Sequence, residues 1–351
     1  DGQVHVLDGS HYWAKAWPGG WGKIRSIITE NRLPYRSNSI TQAISRGAAR
    51  MWSVPYGFLQ AYDWHARIGH PTFSHMQTPR DAYRKQQGLL KINPNLYRRL
   101  WYYQLMGNAA FIGDESDQNR YADWSGSGQF RLSWYGELCE EVREFNDLFP
   151  DLGAQYNPVG LLLGWHNGWA YRGDKAFYLF PYNQGEHMTR EIIHRAIFCF
   201  SENRAPMDEF GPMPYGDLFD ILRFDTPKGA LPQKLLENYR VLFLVGDHPL
   251  APEHAKALME YVHNGGVLVI NAAHKLAAFP TAFLGAEPGK QFSSCEIITP
   301  DGNKLSSGDF LCTELTLAGG RKLYADAEGR VSGVINDYGK GRVITMGMHY
   351  L

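Results

Sequence analysis

The sequence has few cysteines, no excess of charge and no long apolar run, and each shortage argues against a class of protein. Four cysteines occur in 351 residues without CxxC spacing, which argues against a zinc site or a disulfide framework. Lys and Arg number 35 against 36 Asp and Glu, whereas nucleic-acid binders usually carry a basic excess. No apolar run approaches the roughly 20 residues of a membrane span. We therefore expect neither a nucleic acid nor a membrane as partner.

Nucleotide-binding and nucleophile motifs are also missing. The sequence contains no GxGxxG after a predicted strand, no GxxxxGK[ST] loop and no GxSxG elbow. His187, Glu191 and His194 could share one helix face, but their spacing differs from HExxH. A polar helix face explains these three residues more simply than a metal site does. We expect no cofactor and no metal.

The amino terminus does not resemble a secretory signal. It does not begin with Met, and no basic start is followed by an apolar stretch. We therefore expect that the chain is a trimmed piece of something longer. The localisation stays undecided, because a signal could have been removed.

Tryptophan is concentrated in residues 1–150 and absent after residue 240, which suggests a ligand-facing first part and a scaffold-like last part. In the first part, strand-like segments such as Val4 to Leu7 and Pro55 to Gln60 alternate with helical ones. The pattern predicts a helix from Ser39 to Arg50, capped by Ser39, and another from Pro94 to Met106. Such alternation indicates a parallel sheet or barrel.

The second part has the pattern of a doubly wound sheet. Val159 to Leu163 is a continuous apolar run, typical of a buried parallel strand. A helix is predicted from about residue 189 to 202. Tyr239 to Val245, a helix from Pro252 to His263 and Val267 to Ile270 form a strand–helix–strand unit. From about residue 285 to 334 the pattern changes to short β segments with hairpin turns at residues 299–303 and 326–330, and a last strand follows.

Acidic residues follow several predicted strands of the first part. Asp8, Asp63 and the pair Asp114–Glu115 stand at strand ends, where the catalytic groups of α/β barrels cluster. Histidines and tryptophans lie close to them in the sequence: His11, Trp13, Trp64, His65 and Trp124. Sugar rings stack on indole and need acidic acceptors for their hydroxyls, and glycoside cleavage needs two carboxyl groups. This combination favours a carbohydrate site.

Glu115 and Asp63 are the expected catalytic pair, and Asp8 with the neighbouring aromatic residues and histidines would bind substrate. Because side chains alternate along a strand, only one of Asp114 and Glu115 can face the pocket, and we predict that it is Glu115. The alternative is that Glu115 pairs with Arg120 or caps a turn. An Asp at a strand end can likewise cap a helix, and a Trp can simply be packed.

The order of segments resembles glycoside hydrolases of the bacterial β-galactosidase type. Residues 96–115 resemble the last helix and eighth strand of their barrel. Residues 157–164, 238–270 and 339–344 resemble the amidotransferase-like trimerisation domain that follows it. The resemblance implies an α/β fold with a partial (β/α) barrel, then a flavodoxin-like, class I glutamine amidotransferase-like doubly wound domain with a small β insertion. It also implies a carbohydrate substrate and a homo-oligomer.

The implied domain boundaries are residues 1–150 for the barrel part, 155–284 for the doubly wound domain, 285–335 for the β-rich insertion and 336–351 for its closing strand. The chain departs from the family in two ways. Only about three strand–helix units precede the second domain, and Gln60 stands near the position of the family's nucleophilic Glu. Asn271-Ala-Ala273 occupies the place of the amidotransferase nucleophile, so that activity is not expected.

Three classes of function therefore remain open. The first is a carbohydrate-active hydrolase, β-galactosidase-like, or a fragment of one. The second is a non-catalytic carbohydrate-binding or assembly protein with a degenerate hydrolase fold. The third is a small-molecule enzyme that uses the doubly wound domain, for which Asp247, His248 and His274 supply few polar groups.

Overall fold

A computed structural model gives the structure of the protein. It describes residues 4–8, 24–31, 37–60, 94–114, 122–123, 131–132, 134–164, 175–176, 180–181, 189, 218–226, 229–246, 250–272 and 276–348. The predicted helix over residues 189–202 lies outside the described residues apart from Thr189. No helix in the described ranges is long and apolar enough to cross a membrane.

The first part contains a sheet of four parallel strands that lie side by side in chain order. These strands are β1 (Val4–Asp8), β2 (Ile24–Asn31), β3 (Tyr56–Gln60) and β4 (Phe111–Asp114). Adjacent parallel strands in sequential order are the arrangement found in an α/β barrel. The sequence predicted three of these strands; β2 is an additional one. A two-stranded antiparallel pair follows, β5 (Ala122–Asp123) with β6 (Arg131–Leu132).

In the described part of the chain, three helices accompany this sheet. They are α1 (Ser37–Trp52), α2 (Pro94–Met106) and α3 (Trp134–Leu148). Helix α2 begins with a proline, whose missing N–H costs nothing at that position. Leu100 and Trp101 of α2 pack against Leu138 and Val142 of α3. The prediction that Ser39 caps α1 was wrong, because the helix begins two residues earlier.

The second part is one sheet of nine strands. Its elements, with two short strand pairs and the intervening helices, are β7 (Val159–Leu163), β8 (Lys175–Ala176), β9 (Phe180–Pro181), β10 (Phe219–Arg223), β11 (Asp225–Thr226), β12 (Gly229–Ala230), α4 (Gln233–Leu236), β13 (Val241–Leu244), α5 (Pro252–His263), β14 (Val267–Asn271), a 3-10 turn (Leu276–Ala278), α6 (Thr281–Leu284), β15 (Ala286–Ile298), β16 (Lys304–Leu317), β17 (Arg321–Ala325), β18 (Val331–Tyr338) and β19 (Gly341–Met346).

Five of the nine strands are parallel, in the spatial order β10-β7-β13-β14-β19. In chain order this is second, first, third, fourth and fifth. Side chains from α4, α5 and α6 join one apolar cluster with one face of these strands, including Leu162, Leu242, Leu268 and Val343. The continuous apolar sequence of β7 reflects burial within such a sheet, whereas Phe243 of β13 is exposed.

The remaining four strands extend the same sheet as antiparallel neighbours of β19, in the order β18-β17-β15-β16. The prediction of short β segments was wrong for β15 and β16, which are 13 and 14 residues long. The turn predicted at residues 299–303 joins β15 to β16, and the one at 326–330 joins β17 to β18. Gly302 and Gly329 adopt positive φ there, which glycine does without strain.

Helix α1 lies between the two sheets. Every residue from 40 to 48 is buried, although an outer barrel helix normally exposes one face. Ile40 and Ile44 of α1, Phe58 of β3 and Ile221 of β10 belong to one apolar cluster. Gly47 brings α1 onto the backbone of β10, since a Cβ at that position would overlap the carbonyl oxygen of Ile221. The two sheets therefore share a core around α1.

Candidate functional site

The carboxyl ends of β2, β3 and β4 meet in register at one edge of the four-stranded sheet. Asn31 pairs with Gln60, and Gln60 pairs with Asp114. Asp8, the last residue of β1, pairs with Thr29, two residues before the end of β2. The structure thus brings the backbones of Asp8, a predicted site residue, and of Asp114, the neighbour of the predicted catalytic Glu115, to the same edge.

The two faces of this sheet differ in what covers them. Thr29, Phe58 and Ile112 form one row in register, and the first two are fully buried. The Thr29 hydroxyl is 2.8 Å from the Ser45 hydroxyl of α1, and Ile112 packs against the cluster of α2 and α3. Because side chains alternate, the neighbouring rows belong to the opposite face.

The opposite face is the one that would line a barrel. Ile28, Leu59 and Phe111 occupy it and are only partly buried. Glu30 is in register with Leu59, and Leu59 with Gly113, so Glu30 occupies a position in this face's row nearest the carboxyl edge. A carboxylate at this place in an α/β barrel is a candidate for substrate contact or catalysis.

The sequence prediction missed Glu30 because it missed β2. The segment from Ile24 to Thr29 contains β-branched residues followed by Glu30 and Asn31, the composition of a strand that ends in polar residues. That signal was available, and the turn-forming residues Pro18-Gly-Gly20 stand shortly before it in the sequence.

The other seven predicted site residues lie outside the described residues: Asp63, Glu115, His11, Trp13, Trp64, His65 and Trp124. The predicted metal alternative at His187, Glu191 and His194 also lies outside them. Within the described ranges, no group of three acidic, His or Cys side chains is arranged to hold a metal ion.

An exposed ion pair joins helices α2 and α3. Arg98 of α2 donates to both carboxylate oxygens of Glu141 in α3, at 2.9 to 3.1 Å. The hydrogen bond from Arg98 lowers the pKa of the Glu141 carboxyl. Burial, and then the hydrogen bond to Glu141, raises the pKa of Tyr102. Because the Arg98 and Glu141 side chains are 44% and 40% exposed, we assign this pair to the protein surface.

The parallel strands of the second sheet offer a weaker candidate. Asn271 at the end of β14 is buried, and Asp247, His248 and His274 lie outside the described residues. His254 near the start of α5 stands edge-on to Phe224, with ring centroids 5.4 Å apart. A small cavity beside it is lined mainly by apolar residues such as Leu162 and Leu258. Among the described residues, no convergent polar set appears there.

Comparison with solved structures reveals a shared fold. An exo-β-1,4-mannosidase from Opitutaceae bacterium strain TAV5 matches 93% of this chain and 55% of its own, with a TM-score of 0.53 and 14% identity. A GH42 β-galactosidase from G. stearothermophilus matches 95% of this chain and 48% of its own, with a TM-score of 0.53 and 13% identity. A cold-adapted β-galactosidase from Rahnella sp. R3 matches 98% of this chain and 51% of its own, with a TM-score of 0.52 and 15% identity.

These likenesses establish the fold alone, because the identities are low. The chain is a mixed α/β protein whose structural neighbours are glycoside hydrolases with TIM barrels. It spans about half the length of the solved structures it resembles. No protein-family model and no curated protein matches the chain.

Proposed function

We propose that this chain is a carbohydrate-active hydrolase, or part of one, that cleaves glycosidic bonds with paired carboxylates. One observation carries the proposal: four parallel strands in sequential order bring acidic residues to their carboxyl edge, in a chain that shares its fold with glycosidases. In α/β barrels this edge holds the active site. A β-galactosidase-like or mannosidase-like specificity is the finer form of the proposal.

Glu115 and Asp63 are the proposed catalytic carboxylates. Glu115 directly follows β4, and continued alternation from Phe111 and Gly113 would direct it toward the barrel-lining face. One carboxyl group protonates the leaving oxygen, and the other attacks the anomeric carbon or activates water. Glu30 of β2, the strand next to β3, is proposed as a third carboxylate that binds a sugar hydroxyl. Asp114 lies in the row that continues the helix-covered face, so it has no proposed role in the chemistry.

The proposed substrate-binding groups surround these carboxylates in sequence. Trp13, Trp64 and Trp124 would stack on the apolar face of a pyranose ring. His11 and His65 would hydrogen-bond to its hydroxyls. Asp8 is in register with Thr29 and so occupies the row of the helix-covered face, as Asp114 does; it is proposed as a residue of the carboxyl edge without a direct contact to the sugar.

The test is hydrolysis of p-nitrophenyl β-galactoside and β-mannoside by the wild-type chain and by Glu115→Gln. We expect the variant to lose turnover or to bind sugar much more weakly, with nearly unchanged thermal stability. Asp114→Asn is the matched control, since it removes a neighbouring charge from the other row. Lower stability with intact sugar binding in Glu115→Gln would instead assign Glu115 to a pair with Arg120 or to a turn cap.

A non-catalytic carbohydrate-binding protein is the second candidate. Gln60 at the end of β3, where the resemblance implies a carboxylate nearby, favours it. This candidate predicts that sugar binds to the wild-type chain without any release of p-nitrophenol.

We also propose that the nine-stranded sheet is a flavodoxin-like, amidotransferase-like domain that promotes self-association. The order second, first, third, fourth, fifth of its parallel strands is that of flavodoxin-like sheets. Asn271 and Ala272 follow β14 where an amidotransferase would carry its cysteine, so no amidotransferase activity is proposed. Light scattering at micromolar concentration tests the proposed homo-oligomer. A monomer at that concentration would contradict self-association.

A further inference from the structure

A buried ionic cluster joins helix α1 to the second sheet. Asp220 of β10 is fully buried and accepts hydrogen bonds from Arg46 Nε at 2.6 Å and from an Arg50 terminal nitrogen at 2.5 Å. The Tyr239 hydroxyl donates to the same carboxylate at 2.8 Å. One carboxylate thus binds two turns of α1 and a residue just before β13.

The other donors of both arginines also meet acceptors of the second part. Arg46 donates to the carbonyl of Phe219 at 2.9 Å and to the Gln155 side chain at 3.0 Å. Arg50 donates to the Gln155 carbonyl at 2.6 Å and to the Asn157 side chain at 3.2 Å. Such charge-assisted bonds fix orientation as well as contributing energy. They hold α1 at a defined angle on β10.

Helix α1 transmits this placement to the candidate site. It connects β2 to β3, the two strands that end at Asn31 and Gln60. Ser45, adjacent to Arg46, forms the buried hydroxyl–hydroxyl hydrogen bond with Thr29 at 2.8 Å. Thr29 directly precedes Glu30. The backbone of α1 between Arg46 and Ser45 therefore connects the Asp220 cluster to a buried hydrogen bond near the carboxyl end of β2.

We propose that Asp220, in the second sheet, is a positioning residue for the candidate site of the first sheet. It fixes α1 through Arg46 and Arg50, and α1 fixes the end of β2 through Ser45 and Thr29. The relevance of Asp220 to catalysis rests on the proposed function. The mechanical coupling of β10 to β2 can be measured without any sugar.

The experiment is amide hydrogen exchange across β2 in the wild-type chain and in three substitutions. Asp220→Asn leaves two arginines without their buried counter-ion, so we expect amides of residues 27–31 to exchange faster by about tenfold or more. Tyr239→Phe removes one donor and should give a smaller increase, which keeps the test informative if Asp220→Asn does not fold. Ser45→Ala should affect β2 but not β10.

Asp337→Asn is the control, because Asp337 is exposed and pairs with Arg342 on the far side of the second sheet. It should leave β2 exchange unchanged. Unchanged β2 exchange in Tyr239→Phe and Ser45→Ala, or an increase confined to β10, would overturn the proposal. A further readout is sugar affinity, which Ser45→Ala should lower.

The two proposals fail in different ways. If the wild-type chain binds no sugar while β2 exchange still follows Asp220, the coupling stands and the carbohydrate function fails. If sugar binds and the substitutions leave both exchange and affinity unchanged, the positioning role fails and the function stands.

Discussion

At Gly47, helix α1 lies directly against the backbone of β10. A methyl group there would overlap the carbonyl oxygen of Ile221, a backbone atom that cannot move without displacing β10. Alanine has a higher helix propensity than glycine, so propensity alone would make Gly47→Ala more stable. A loss of stability would therefore show that the methyl group does not fit against β10. We expect Gly47→Ala to lower the free energy of unfolding by about 1–3 kcal/mol, as measured by urea denaturation. An alanine at exposed Glu144 of α3 is the control, and a stabilised Gly47→Ala would contradict the contact.

Cys312 should be far less reactive than Cys295. Burial, with a smaller contribution from the Asp326 charge, raises the pKa of the Cys312 thiol to about 11, whereas Cys295 is exposed. At pH 8 we expect iodoacetamide to label Cys295 quickly and Cys312 only after unfolding, as mapped by peptide mass spectrometry.

The raised pKa also has a consequence for stability. Because the folded chain holds the Cys312 proton more tightly than the unfolded chain, its stabilising effect is present below pH 9 and is lost as the pH approaches about 11. The control for the labelling experiment is Cys295→Ser, which should remove the fast labelling. Rapid labelling of Cys312 in this folded variant would contradict the burial of the Cys312 thiol.

At the scale of elements, the α2–α3 contact contains an exposed ion pair. Arg98 lowers the pKa of Glu141, so the pair stabilises the fold above the ordinary value of 4.5 and the effect is lost as the pH falls through the lowered folded-state pKa. Solvent screening limits its size. We expect Glu141→Gln to lower the free energy of unfolding by about 0.5 kcal/mol at pH 7. Below the lowered pKa of Glu141, the substitution should have almost no effect.

The matched control for this pair is Glu140→Gln. Its partner, Arg143, is 62% exposed, so the cost should be smaller still. Equal costs for the two substitutions, or a Glu141 effect that does not change with pH, would show that Arg98 and Glu141 do not pair in solution. Urea denaturation at several pH values measures both.

Elements with strong local patterns were predicted well. The bounds of α2, α5 and β7 agree with the structure, because a proline start or a continuous apolar run marks them. The ends of α1 were wrong, and β2 was missed. Helix α1 has a polar face that includes Arg46, and the burial of that face depends on Asp220, which lies 174 residues from Arg46 in the sequence. No local pattern carries that information.

The candidate site shows the same division. The position of Asp114 at a parallel strand end followed from the apolar run before it. That Asn31, Gln60 and Asp114 stand side by side depends on strand pairing, which the sequence pattern does not specify. Glu30 came to notice only through that pairing.

At the scale of the molecule, the shared core around α1 predicts that the two sheets unfold together. Residues of α1, β3 and β10 form one apolar cluster, so separating the sheets would expose it along with the Asp220 cluster. We expect coincident urea transitions by far-ultraviolet circular dichroism and tryptophan fluorescence, since the tryptophans lie mostly in the first part. An earlier fluorescence transition would show that the first sheet unfolds alone.

The central claim is that the carboxyl edge of the four-stranded sheet binds carbohydrate. Hydrogen exchange of the chain with and without saturating galactose or mannose tests it most directly. The account predicts slower exchange in peptides that contain the ends of β1 to β4 and the residues that follow them, with no change across β13 to β19. Protection confined to the nine-stranded sheet, or no protection with either sugar, would contradict it.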